Sequence, residues 1–478
     1  MAIRQKVLFW GLIFLLGIFG ASSGWSFYWV FLLAGVGALI FWRFRKEKKG
    51  ALLVVGTLVG LGLGFFYYSF YINFTERNQN IVLDRKINFA GVVTKTEMRD
   101  TYQKLILELT PPDRGTVMVL AKPAPNFEYG DLLRMEGEIR ASQFVNQPPT
   151  VAFPKIEVEA KDQGFWLKAE LYKFKNHLTA QFKKYLNADQ AALVSGITFG
   201  ERAEFNKDLK NDMARSGVTH IVALSGYNIA VLVLAIERSL KKLMARRKRF
   251  YLTLAIIFLF VLMVGGEASV VRAAIMGALI LLAQHIGRPH DALHIIMLTA
   301  LGMVLVNPTL LAYDIGFQLS FLSLLGIIFL EPALRRIFKV ETKKGESFLA
   351  WRENGLTTMA AQLAVIPVLI HSFNQFSLTA VVSNALILVT VPLAMFLGFL
   401  LVTLSSISFF LGFLAAKLVS ILAFYQISII KIFSVIYIPL PGGQFLNSGI
   451  VFVVYYALLI WLVLLKQEKV PTFKKINR

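Results

Sequence analysis

Residues 217–231 read Gly-Val-Thr-His-Ile-Val-Ala-Leu-Ser-Gly-Tyr-Asn-Ile-Ala-Val. The stretch has the apolar mass of a membrane segment, yet it carries His220, Ser225, Gly226 and Asn228. Such groups are costly in hydrocarbon unless they face other protein or a wet cavity. One chemistry open to them is hydrolysis by a Ser225–His220 pair. The context Ala-Leu-Ser-Gly-Tyr is not Gly-x-Ser-x-Gly, and residues five apart do not share a helix face, so the base would have to come from elsewhere, such as His371. The other use is conformational. Gly226 lowers the cost of irregular backbone, while Thr219, Ser225 and Asn228 can satisfy the groups that a break sets free. Unwound segments at membrane depth line cavities, so the reading preferred here is a pore or gate element. The plainer alternative is a glycine-kinked helix with buried hydrogen bonds.

Three further constellations fit the same theme. Glu267 and Arg272 flank the turn between two apolar runs, as an ion pair or as charges at a pore mouth. Asp314 and Gln318 are four apart and so share a helix face; Ser320 follows close by. These three serve either as glue between helices or as cavity lining. His285, His290 and His294 lie near Asp291, but their spacing fits no standard metal site, and Asp291 reads better as the N-cap of a helix from about Leu293. There is no G-x-x-x-x-G-K-[ST] and no H-E-x-x-H. The expectation is therefore no catalytic residue, no metal, no cofactor, and a protein that is not an enzyme.

What must position these groups is a very apolar chain. Of 478 residues 56% are hydrophobic and 17% charged, and the mean hydropathy is +0.61, which excludes an ordinary soluble protein. The net charge of +21 invites a nucleic-acid reading, but its location argues otherwise. Residues 73–163 hold 12 Lys and Arg against 13 Asp and Glu. The excess sits in short runs, Arg43–Lys49, Arg238–Arg249, Arg335–Arg352 and Lys466–Arg478, as expected of cytoplasmic linkers.

The fold class expected is a polytopic α-helical transmembrane protein of about ten to twelve segments, some broken or re-entrant, with an inserted extracytoplasmic β-barrel of OB-like type. Residues 1–72 form the N-terminal transmembrane helices, with 7–21 and 25–42 as an uncleaved hairpin. Glycines 56, 60, 62 and 64 offer a close-packing surface on 51–72. Residues 78–160 show five short alternating runs (89–94, 105–109, 116–120, 132–139 and 155–158) separated by turn signals, which suggest the barrel. Tyr102, Phe127 and Tyr129 are its possible base-stacking residues, or simply core. Residues 164–187 form an amphipathic interfacial helix with Trp166 among lysines. Residues 190–465 form the main transmembrane domain, and 466–478 a basic cytoplasmic tail.

Gly200-Glu201-Arg202 with Gly217–Val231, Val271–Met276, and Asn307-Pro308 followed by Asp314–Phe321 together resemble the ComEC-type competence DNA channel family. The family's Ser-Gly-Leu-His-like core stands here as Ser225-Gly226-Tyr227-Asn228, so no histidine role carries over to position 228. The resemblance implies an inner-membrane channel that passes single-stranded DNA into the cytoplasm during natural transformation. Its partners would be the lipid bilayer, a separate DNA receptor, a cytoplasmic motor or ATPase and a separate nuclease, with a homo-oligomer as a further option. Many members continue into a β-lactamase-like nuclease domain, and this sequence has no His/Asp cluster of that kind. A transporter of another solute and an intramembrane serine hydrolase are the rival readings.

Overall fold

A computed structural model describes residues 3–24, 35, 49–98, 101–142, 147–201, 205–222, 226–289, 291–338, 351–373, 379–436 and 449–466. Ser225, His290, the run 25–42 apart from Gly35, and the tail 467–478 lie outside these residues. Among the described residues, six helices are long and apolar enough to cross a membrane; Ala380–Leu388 and Val391–Ile407, bent by 43°, make a seventh if counted as one span. Ten to twelve were expected over the whole chain, and the expected segment 25–42 lies outside the described residues apart from Gly35. Ala292–Val306 is a helix of 15 residues, which reaches about 22 Å where a bilayer core needs about 30 Å. Arg246–Met263 opens on four consecutive basic residues, so its apolar part is short. Of the run 217–231, the structure describes a short helix, Thr219–Val222, and the start of another, Gly226–Leu240, with 223–225 outside the described residues.

The chain divides into two compact units, Met1–Ala180 with Ser225–Asp314, and Gln181–Leu224 with Ile315–Arg478. In the first unit, helix α1 (Ile3–Ser22) packs on α2 (Lys49–Arg77). Glycine makes this approach possible. A Cβ on Gly64 would stand 2.3 Å from the Phe14 carbonyl oxygen, and one on Gly17 would stand 2.3 Å from that of Leu61. The close-packing surface expected of the glycine stripe is therefore present, with Gly17 as the answering residue on the other helix.

The sheet of this unit contains β1 (Lys86–Met98), β2 (Gln103–Leu109), β3 (Thr116–Ala121), β4 (Leu132–Glu138), β5 (Thr150–Ala152) and β6 (Lys155–Ala160), in the order β5-β3-β2-β1-β4-β6. All five expected strands form. The sixth, β5, has three residues, too few for alternation to reveal. It pairs in parallel with β3, while the other pairs are antiparallel. The sheet curls into a half-barrel, and an isolated bridge between Arg140 and Thr150 brings the chain after β4 back to β5. Period-two burial places Val93, Leu105, Leu107, Val117, Val119, Leu133 and Met135 in one core. Phe127 belongs to that core, so it is not a stacking platform.

Helix α3 (Trp166–Tyr185) leaves the sheet on a tight tether. The Phe165 amide donates to the Tyr129 hydroxyl at 3.0 Å. Lys168 Nζ donates to the Thr94 carbonyl at 3.3 Å and lies 4.7 Å from the Tyr129 ring centroid. Tyr129 and Tyr172 meet edge to face at 5.3 Å. Tyr129 is thus engaged in fastening the helix, while Tyr102 is half-buried. In chain-order numbering, the same unit holds α7 (Gly226–Leu240), α8 (Arg246–Met263), α9 (Ala268–His285), α10 (Ala292–Val306) and α11 (Leu310–Tyr313). A Cβ on Gly265, in the α8–α9 turn, would lie 3.2 Å from the Tyr172 hydroxyl, so this turn touches α3.

The second unit contains α4 (Ala188–Phe199), α5 (Lys207–Arg215), α6 (Thr219–Val222), α12 (Ile315–Leu325), α13 (Glu331–Ile337), α14 (Trp351–Phe373), α15 (Ala380–Leu388), α16 (Val391–Ile407), α17 (Phe409–Val435) and α18 (Gly449–Lys466). Between α12 and α13 the helix widens to a π turn over Gly326–Leu330. Pro332 explains the place: it has no N–H to give the Ile328 carbonyl and its ring crowds that group, which a wider turn relieves. Pro367 interrupts α14 and deprives the Leu363 carbonyl of its helical donor. The Tyr455 hydroxyl of α18 donates to that carbonyl at 2.7 Å, and Tyr456 donates to the next one, Ala364, at 3.1 Å.

Candidate functional site

The first unit holds Gly226, Asn228, Glu267, Arg272 and Asp314. Gly226 opens α7, and a Cβ there would meet the Arg272 guanidinium (Nη2) at 3.4 Å and the Ala273 methyl at 3.6 Å. The structure therefore brings Gly226 and Arg272 together, across α7 and α9. Asn228 and Arg272 are both buried, at 2% and 6% exposure, in the midst of apolar helices. Glu267 is the N-cap residue of α9 and half-buried. Asp314 follows α11 with extended backbone, φ −96° and ψ 103°, and α12 begins only at Ile315. The shared helix face expected of Asp314 and Gln318 fails for this reason: Asp314 is outside the helix.

His294 and His285 have different partners. Asp291 caps α10 as expected, accepting from the Leu293 amide at 3.1 Å, and its other oxygen holds His294 Nδ1 at 3.0 Å. His285 instead stacks on Phe250, with ring centroids 4.3 Å apart. Near the basic end of α8, Arg249 donates to Glu237 at 2.7 Å and Thr253 donates to the same carboxylate at 3.1 Å.

In the second unit His220 lies on the short α6, exposed, while Gln318 and Ser320 on α12 are half-buried. Ser225 falls outside the described residues. The polar groups that this unit brings together are others. Ser383 Oγ of α15 donates to the Ser216 carbonyl at 2.8 Å, just before Gly217 turns the chain with φ +73°. Gln190 of α4 and Ser420 of α17 bond reciprocally: Ser420 Oγ donates to Oε1 at 3.0 Å, and Nε2 donates to the Ser420 carbonyl at 3.4 Å. Gln426 Nε2, also on α17, donates to Thr390 Oγ1 at 2.8 Å. Thr390 sits at the α15–α16 bend and in turn donates to the Ile387 carbonyl at 2.7 Å. Asn384 is buried on α15, one turn before the bend.

These residues form a buried polar seam that joins two backbone breaks, one at Ser216–Gly217 and one at the α15–α16 bend. Sequence reasoning passed over it. The signal was available in Gln426, the lone amide within 27 residues of α17, and in Asn384 and Thr390 before Pro392. The inner face of α17 is small in its first half (Gly412, Ala415, Ala416) and mixes Ala423, Gln426 and Ser434 with Ile427, Ile429 and Ile430 further on, whereas Phe410, Phe413, Ile421 and Phe424 face outward. An apolar outer face of aromatics opposite a stretch of small buried residues suits a lipid-exposed helix.

The class defined by these features is a many-helix protein with spans of membrane-crossing length, one of them bent, and amides buried beside the bend. The family model described as Competence protein matches residues 197–469, more than half of the chain, and the chain belongs to that family. It is similar to ComE operon protein 3 of Bacillus subtilis (strain 168), with 27% identity over 220 residues. That match covers 46% of this chain and 27% of the relative, so it spans about a quarter of the relative's length. No solved structure matches the chain.

Proposed function

We propose that this chain is a multi-pass protein of the cytoplasmic membrane that passes single-stranded DNA into the cell during competence. Membership of the Competence protein family carries the reading, because the matched residues 197–469 contain the bent span and most of the polar seam. Neutral amides and hydroxyls suit such a path. They hold a polyanion weakly at several points, so it keeps moving. The chain acts as a conduit and not as an enzyme, and the driving force comes from a separate motor or from a gradient. A separate receptor delivers the DNA, a separate nuclease removes the other strand, and the conduit can work as a homo-oligomer.

Two observations support an extracytoplasmic β domain. The α8–α9 turn touches α3, which is fastened to the sheet. The basic residues Arg246–Arg249 stand at the opposite end of α8, about 25 Å away along an 18-residue helix. With basic loops inside, the sheet lies outside. The order in which β1 lies between β2 and β4 while β3 meets β5 in parallel supports an OB-like reading of the sheet.

DNA carrying a photoreactive base, supplied to competent cells and cross-linked during uptake, tests the reading. The expected product is this chain bonded to one DNA strand. Cross-links to duplex, or to other membrane proteins alone, contradict it.

A further inference from the structure

Gln426 is fully buried, and its amide is half satisfied: Nε2 donates to Thr390 Oγ1 at 2.8 Å, while Oε1 has no partner among the described residues. The Asn384 Oδ1 atom, buried one turn before the same bend, is in the same condition. Two acceptors left unpaired in a low-dielectric interior are costly, and any rearrangement that brings water or a donor to them recovers that cost. The bend between them is already a weak point. Pro392 removes the donor for the Leu388 carbonyl, and the two helices meet at 43°. Gln426 is the group that reaches across from α17 to hold Thr390, and Thr390 Oγ1 passes the restraint to the Ile387 carbonyl at 2.7 Å.

We propose that the Gln426–Thr390 hydrogen bond is a latch: it holds the α15–α16 bend in a closed arrangement, and its release exposes Asn384 and Gln426 to water as the wall of the path. Gln426 is a positioning residue in this scheme. The inference rests on the proposed membrane path, and its test does not depend on what travels along it.

The sequence contains no cysteine, so a single introduced thiol reports without background. Asn384→Cys is made in the full chain, in membrane vesicles, and its reaction with a water-soluble, membrane-impermeant thiol reagent is timed. Phe413→Cys on the outer face of α17 is the control. The latch predicts slow reaction at position 384 in the otherwise unchanged chain. It predicts at least a tenfold faster reaction when Gln426→Leu or Thr390→Val is added, with position 413 unmoved. Thr390→Ser keeps the hydroxyl and should stay slow. An unchanged rate at 384 in both latch variants overturns the proposal, and so does an equal rise at 384 and 413, which is general loosening. If the rates behave as expected but loss of the gene leaves DNA uptake intact, the latch stands and the DNA reading falls.

Discussion

Tyr455 donates to a carbonyl that exists as a free acceptor only because Pro367 cannot donate to it. The two residues are therefore coupled. Tyr455→Phe leaves the Leu363 carbonyl unsatisfied and should destabilise the folded chain by about 1–3 kcal/mol, read as a lowered thermal midpoint in detergent. In the Pro367→Ala background the helix supplies its own donor, so the same change should cost clearly less. Equal costs in both backgrounds would contradict the coupling. Single residues of this kind were partly legible in the sequence. Asp291 announced its cap because an acidic residue before an apolar run has one common use. Asp314 misled, because four-residue spacing implies a shared face only inside a helix, and the helix starts one residue later.

At the scale of elements, the α1–α2 pair depends on two glycines whose missing side chains admit a neighbouring backbone. Gly64→Leu or Gly17→Leu should force the helices apart and cost at least the 1–3 kcal/mol typical of overpacking, with loss of stable α1–α2 cross-links as the readout. Gly302→Ala meets nothing within 4 Å and should be neutral. In the sheet, Glu136 lies between Lys86 at 2.8 Å and Lys155 at 3.7 Å across two strand pairings. Lys86 first, then Lys155, lowers its pKa below the ordinary 4.5. A depressed carboxylate contributes its stability above about pH 4.5 and loses it as the pH falls through the lowered value. Amide exchange in β1 and β4 should thus differ between the parent and Glu136→Gln at neutral pH, and the difference should vanish in acid; a difference that persists in acid contradicts the assignment. Strands were readable because alternation and turn residues are local signals. The hydrogen bond that holds the bend at Thr390 was not, because Gln426 is 36 positions away and only packing reveals the pair.

At the scale of the whole molecule, the account rests on a sidedness and a path. The sidedness predicts that a thiol placed at Glu157 on β6 reacts with an impermeant reagent in intact spheroplasts, while one at Lys241, in the basic run after α7, reacts only after the membrane is opened. The reverse pattern would invert the topology. Membrane character was legible from composition and from charge confined to short runs. Hydropathy finds apolar mass and does not see that α8 begins with a basic turn. The family resemblance lay in dispersed short motifs, and it holds across 197–469. The seam that supports the path was hidden because hydroxyls and amides scattered one per helix look like ordinary packing until the helices are assembled.

Deletion of the gene tests the proposed passage of DNA across the membrane most directly. Labelled DNA is offered to competent cells, and the fraction that reaches a nuclease-protected, cytoplasmic, single-stranded form is measured beside the fraction bound at the surface. The account predicts that internal DNA is lost while surface binding stays normal, and that the intact gene restores it. Undiminished internal DNA in a strain shown to be transformable would contradict the account and leave a different solute as the cargo.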